Sequence, residues 1–198
     1  AVALEEGIAL DRAIGALETL DPTPGRLQPV PLAGGAILLR DDFKGGQETI
    51  EAALDVLGDI PADRRIVVLG DVSEPVASGG PIHRHLGERV AQVASWAVFI
   101  GGRQSRTYAA GARQGGLPRG AVINARGSVR MAVEALRNDL QKGDVVLIKG
   151  RDTQRLARVA LALQGRQVRC ELTFCDSKVQ CDRCPMLERG WAGLRVLT

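Results

Sequence analysis

"ILLRDDFKGGQETIEAALDVL", residues 37–57, is the stretch that decides how this chain folds. An apolar run, Ala36–Leu39, meets Arg40 and then two adjacent aspartates, Asp41 and Asp42. Phe43-Lys44-Gly45-Gly46 follows, and from about Glu48 to Leu57 the apolar residues fall at helical spacing. A short strand with little internal polarity that turns into an amphipathic helix is the first half of a βαβ unit. Two like charges and a lysine at the end of a buried strand need a reason, because charge is costly to bury without a partner.

The same rhythm extends outward from this stretch. Strands are expected at Ala36–Leu39, Ile66–Leu69, Ala97–Ile100, Ala121–Ile123 and Val145–Ile148. Helices are expected at about Glu48–Leu57, Ile82–Ala94, Arg103–Gln114, Val129–Leu140 and Thr153–Leu163. Strands of this kind, separated by amphipathic helices, imply an α/β fold: a Rossmann-like, open, mostly parallel sheet with helices on both faces. Before it, Leu10, Ile14 and Leu17 share one face of a short helix, and "DPTPGRLQPVP", residues 21–31, reads as a proline-rich linker. The helical opening suggests continuation from a longer chain. After residue 164 the rhythm breaks, and "ERGWAGLRVLT", residues 188–198, is a candidate final strand or pair. Three parts are therefore expected: 1–25, the end of a preceding domain with its linker; 26–164, the Rossmann-like domain; and 165–198, a Cys-rich appendage.

Composition narrows the function classes. With 198 residues, 45% of them apolar and 25% charged, the chain suits one substantial globular core. The net charge is only +3, and the charges are interspersed; aromatics make up 3%, too few for the stacking platforms of single-strand nucleic-acid binders. No nucleic-acid partner is expected. No run approaches the roughly 18 apolar residues of a membrane span, and the N-terminus lacks the basic-then-apolar layout of a signal peptide, so a cytoplasmic protein without membrane insertion is expected.

In an open parallel sheet, ligands bind beyond the carboxyl ends of the strands. Those ends here carry Asp41-Asp42, Gly70-Asp71, Gly101-Gly102 and Lys149-Gly150. The same residue types also serve turns and helix caps. There is no G-x-x-x-x-G-K-[ST] loop and no G-x-G-x-x-G after the first strand, so this stretch of chain has no standard equipment for cleaving ATP alone. No catalytic residue is expected in it.

Five segments, in order, resemble the carboxy-terminal domain of the Mur ligases: "PGRLQ" (24–28), "DDFKGGQETIEAALDVL" (41–57), "RRIVVLGDVSE" (64–74), His83 with Gly87, and "GDVVLIKGRDTQRLARV" (143–159). The D-alanyl-D-alanine-adding subtype is the most similar. The resemblance implies a parent ligase that uses ATP and Mg2+, held mainly by a separate ATP-binding central domain. That enzyme would phosphorylate a carboxylate of a UDP-linked muramoyl precursor, and an incoming amino acid or dipeptide amine would attack the acyl phosphate. It also implies roles: Arg26 toward the ATP phosphates, Asp42 at the nucleotide and the inter-domain hinge, and Lys44 toward the incoming carboxylate. Asp71, His83 and Lys149 stand at substrate-side positions.

Residue by residue, plainer readings compete. Arg26 is also a turn residue, Asp41 a cap, Lys44 a solvated charge and His83 a packing residue. Lys149 is equally a partner for Asp71 or Asp144. The likeness is incomplete as well. Phe43–Glu48 replaces S-Y-N-A-N-P, Glu74-Pro75-Val76 replaces E-L-G, and Arg151-Asp152-Thr153 follows Lys149-Gly150 where the family has S-R-G. Two alternatives stay open: a related ligase of poly-glutamate, folyl-polyglutamate or cyanophycin type, and a non-catalytic Rossmann-like binding module.

All four cysteines lie in "CELTFCDSKVQCDRC", residues 170–184. Cys181-x2-Cys184 has the form of a zinc knuckle, and Cys170 and Cys175 would complete a tetrahedral set. Structural zinc, an iron–sulfur cluster, and unliganded or redox-active thiols are the three readings of this spacing.

Overall fold

The computed structural model describes residues 2–73 and 80–191. In chain order the elements are α1 (Val2–Glu5), α2 (Leu10–Glu18), β1 (Gln28–Pro31), β2 (Ile37–Asp41), α3 (Gln47–Asp59), β3 (Arg64–Leu69), α4 (Gly80–Val93) and β4 (Trp96–Phe99). They continue with α5 (Ser105–Gln114), β5 (Val122–Asn124), α6 (Val129–Arg137), β6 (Asp144–Lys149), α7 (Ala157–Leu163) and α8 (Met186–Arg189). Six strands form one sheet in the order β1-β2-β6-β3-β4-β5. All neighbours are parallel except β1, which runs antiparallel to β2.

Each parallel strand is covered on both faces, which is why its sequence reads as a nearly continuous apolar run. Successive residues serve opposite cores. Leu39, Val67, Leu69, Phe99 and Leu147 pack under α3, α4 and α5 with Ile50, Leu54, Leu86, Val90 and Tyr108. Leu38, Ile66, Val68, Val98, Val146 and Ile148 pack under α6 and α7 with Val133, Leu136, Val159 and Ala160. Central β6 is buried at every position. Helices α4 and α5 touch through Gly87 and Gly111, where any Cβ would collide with the partner helix's backbone at Tyr108 and Arg84. These two glycines set how closely the pair packs.

Both ends of β6 carry buried charge. At its start, Asp144 takes a two-pronged ion pair from Arg64 of β3, at 2.8 and 2.6 Å, and also accepts from the Gln141 amide. Burial works against the Asp144 charge, but these hydrogen bonds outweigh it and hold the carboxyl below its ordinary range.

The five expected strands and five main helices are present, with shifted ends. β2 extends through Asp41, so Asp41 is the last strand residue and not a helix cap. α6 stops at Arg137, and α7 starts only at Ala157 because Arg155, at φ 53°, turns the chain in the left-handed region just before it. The segment expected to be only a linker contains β1. Pro29 and Pro31 are two residues apart, so their missing N–H groups fall on one side, as an edge strand allows. Leu10, Ile14 and Leu17 of α2 are exposed, and no residue of α1 or α2 is buried.

The cysteine segment does not stand apart from the domain. Cys181 and Leu187 pack on Ala157 and Leu161 of α7. Of the expected final strand or pair, 188–198, the described part is not strand: Glu188 and Arg189 end α8, Gly190 caps it, and Trp191 makes only an isolated bridge to Cys170; 192–198 fall outside the described residues, as does the Glu74-Pro75-Val76 departure. Among the described residues no helix is long and apolar enough to cross a membrane.

Candidate functional site

The carboxyl ends of β2, β6, β3 and β4 bring their loops together at one edge of the sheet. Lys149 ends β6 and is 1% exposed; its ammonium donates to Asp41 of β2 at 2.6 Å. Burial pulls the Lys149 pKa down, opposed by Asp41. The other Asp41 oxygen accepts from the Leu27 amide at 3.3 Å, which ties the Pro24-Gly25-Arg26 turn to the strand end. Lys149 thus pairs with neither Asp71 nor Asp144, and it fastens the platform rather than facing a cleft.

Asp42 is buried and held by Arg40 at 3.2 and 3.3 Å. Gly25, at φ +70°, lies against it and lets the turn close over the strand end. Arg26 is exposed, its guanidinium 4.7 Å from the centroid of the Phe43 ring. That stacking orders a long side chain without neutralising it. Arg26, Asp42 and Phe43 are thereby grouped at one end of this edge.

Asp71, just past β3, is the junction of three loops. Its amide donates to Gln154 Oε1 at 2.6 Å, Gln154 Nε2 donates back to its carboxylate at 3.1 Å, and the Gly102 amide donates to it at 3.0 Å. Arg151 lies 3.6 Å from the same carboxylate. Gly45 is needed where the β2 loop crosses, because a Cβ there would sit 2.8 Å from the Arg151 amide. The Ser73 amide closes the set by donating to the Gly45 carbonyl at 2.7 Å.

Two depressions flank Arg151. One, of about 730 Å³, is lined by Phe43, Lys44, Glu48, Ser73, Asp152 and Phe174 among others. The second, of about 320 Å³, is lined by Asp71, Gly102, Arg126, Gln154 and Phe174. Arg151 and Phe174 belong to both, with the guanidinium 5.9 Å from the ring centroid. Lys44 is exposed in the larger one, a cation at the mouth of a groove that can meet a carboxylate. The aspartate Asp152 has its pKa raised by burial, partly offset by Arg155.

His83 is buried on α4, its ring edge-on to Tyr108 at 4.9 Å between centroids. Burial lowers its pKa and favours the neutral imidazole, partly opposed by the Asp71 charge. It lines neither depression. Of the substrate-side residues expected, the structure places Lys44 and Asp71 at the grooves, and Lys149 and His83 beneath them. The sequence reading missed Arg126 and the pocket-facing role of Arg151, as well as Gln154 and Phe174. Only Arg151 carried a signal, standing two residues past the β6 lysine.

Comparison with known proteins fits this geometry. Residues 25–151 match the Mur ligase, glutamate ligase domain family, and the matched span contains every one of the six parallel and antiparallel strands. This chain belongs to the Mur ligase family. It is 32% identical over 105 residues to the UDP-N-acetylmuramoyl-tripeptide–D-alanyl-D-alanine ligase of Escherichia coli, a match covering 53% of this chain and 23% of that protein. The Synechocystis protein of the same name is 27% identical over 164 residues, 82% of this chain and 35% of its own length. The chain thus spans about a third or less of these relatives. The fold is shared with the MurF ligase of Thermotoga maritima, solved in complex with ADP, at TM-score 0.66 and 21% identity, covering 83% of this chain and 35% of that one. MurF of Acinetobacter baumannii gives the same TM-score at 18% identity, with the same coverage of both chains.

The four cysteines also come together. Cys170, Cys175, Cys181 and Cys184 line one cavity of about 120 Å³, with Arg155, Arg158, Leu172, Met186, Leu187 and Trp191. None is in a disulfide. Burial pushes the Cys181 thiol up to about 11. Among the described residues, no three His, Cys, Asp or Glu side chains converge closely enough to form a coordination shell as they stand.

Proposed function

We propose that this chain is the substrate-closing, carboxy-terminal part of an ATP-dependent Mur-type amide ligase of peptidoglycan precursor synthesis, of the D-alanyl-D-alanine-adding kind. The observation that carries this reading is the strand-end edge, where Arg26 and Asp42 stand at one end and the Lys44–Arg151 groove beside them. Arg26 would offset charge on the phosphoryl group being transferred, a gain that grows as the site closes against water. Asp42, fixed by Arg40, would hold the nucleotide side of the hinge. Lys44 and Arg151 would bind the carboxylate of the incoming amino acid or dipeptide, and Asp71 would orient Arg151. Lys149 and His83 would support these groups from below. Magnesium with the nucleotide would add charge neutralisation, held chiefly by the ATP-binding central domain.

The domain limits proposed are 1–25 for the end of that central domain, 26–164 for the Rossmann-like domain and 165–198 for the cysteine segment. The exposed apolar stripe of α2 supports the first, since such a face needs a partner. The proposed setting is the cytoplasm, with the UDP-linked muramoyl precursor as acyl donor.

The altered Phe43–Glu48 loop favours one second reading, a ligase that adds glutamate-type amino acids outside the cell wall. The test is phosphate release by the intact gene product given ATP, either a UDP-linked muramoyl tripeptide or a glutamyl, folyl or aspartyl acyl donor, and a panel of amines. Release only with D-alanyl-D-alanine supports the first reading. Release only with a glutamyl acceptor moves the assignment to the second, and no release with any acceptor removes both in favour of a binding module.

A further inference from the structure

Arg155 and Arg158 are 5% and 2% exposed, and both line the cysteine cavity. Arg155 has a carboxylate partner, Asp152, at 2.7 Å, and also donates to the carbonyls of Cys175 and Ser177. Arg158 has none among the described residues. It donates to four carbonyls, those of Cys170 (2.8 Å), Leu172 (2.6 Å), Gln154 (2.9 Å) and Arg155 (3.1 Å), and its Nη1 reaches Cys170 Sγ at 3.6 Å. Dipoles alone compensate a buried guanidinium poorly, so its surroundings call for an anion. The cavity it borders is lined by all four cysteines, with Cys170 Sγ the nearest.

We propose that the four cysteines bind one zinc ion as a tetrathiolate, with Arg158 and Arg155 as its buried counter-charges. A divalent ion with four thiolates is a net dianion, which supplies the negative charge Arg158 lacks. The backbone is already arranged for it. Cys181 and Cys184 bracket a tight 3-10 turn, Cys181–Arg183, closed by the Cys184 amide on the Cys181 carbonyl. Cys175 is fixed by its amide to Thr153 at 2.8 Å, and Cys170 by its bridge to Trp191. Four positions spread over 15 residues thus surround one small, mostly apolar space. Among the described residues the thiols do not form a shell as they stand, so binding would require χ1 rotations and closure of the cavity to reach the roughly 2.3 Å metal–sulfur distance of a zinc shell. Binding transfers four thiol protons to solvent and changes no oxidation state.

Occupancy would staple Leu172–Ser177 across the sheet edge, holding Phe174 at the two depressions. Metal binding itself is independent of the ligase reading, and its test involves no substrate. The chain, purified without added metal, is analysed for bound elements, stripped with chelator, and titrated with Co2+. The expected result is one zinc per chain, and a cobalt form with the sulfur charge-transfer and d–d bands of a tetrahedral tetrathiolate. Cys181→Ser and Cys184→Ser should lose those bands. Arg158→Gln should weaken cobalt binding by about 10–100-fold, as loss of an outer-shell partner does. Zinc content of the unmodified chain keeps the idea testable if a variant misfolds. A metal-free chain whose thiols alkylate equally fast with and without zinc overturns it, as does a disulfide or an iron–sulfur chromophore.

Discussion

β6 carries a buried ion pair at each end, and the two are built alike but placed differently. Asp144 at its start pairs across to Arg64 of β3, while Lys149 at its end pairs across to Asp41 of β2. Both join strands far apart in sequence. At the amino edge the pair secures the sheet and borders no depression described here. At the carboxyl edge the pair underlies the turn that presents Arg26 and the grooves around Arg151. The same interaction borders no groove at one end and underlies the proposed site at the other, because strand ends point at different things.

The largest expected effect is at the amino edge. Asp144→Ala strands Arg64 and the Gln141 amide and should cost about 3 kcal/mol, at the low end for a broken buried pair since Arg64 is partly exposed. Denaturant midpoints read this, and ligand binding by the folded fraction should be unchanged. Lys149→Met leaves Asp41 uncompensated but refills the buried space and keeps its bond from the Leu27 amide, so it should cost about 2 kcal/mol, below the usual range for a broken buried pair, while adding Asp41→Asn should recover most of it. A double-mutant cycle that shows no coupling would break the symmetry drawn between the two pairs.

Acid sharpens the contrast. The Asp144 carboxyl lies below its unfolded value of 3.8, so its contribution is fully present above that pH and is lost as pH falls through the lower folded value. Asp144→Asn should flatten the acid limb of a stability-against-pH curve. Smaller still in stability is Arg151→Ala, within about 1 kcal/mol because its ion pair is partly exposed. If the proposed ligase function holds, that variant should raise the KM of the intact protein for the amine about tenfold, with kcat little changed.

Much of the fold could be read from the sequence because a doubly covered parallel strand has no polar face to confuse it. β1 was hidden because its prolines look like linker until an edge strand is available to seat them. The site was legible only in part. Asp42 and Asp71 follow expected strand ends, where local pattern points to them, whereas Arg26 and Lys44 were indicated only by the family resemblance. The Asp41–Lys149 pair joins residues 108 positions apart. Arg126 and Phe174 reach the grooves from β5 and from the cysteine segment, which no local pattern connects. The tail's spacing announced four gathered thiols, but not the two buried arginines that face them.

The most direct test of the central claim is an amide-resolved NMR titration of this chain with D-alanyl-D-alanine at millimolar concentration. The account predicts shifts confined to residues 43–48, 71–73, 151–154 and 174, and absent from Arg64 and Asp144 at the opposite edge. Shifts clustered away from the carboxyl edge, or none with any amino acid or dipeptide carrying a free carboxylate, would contradict it.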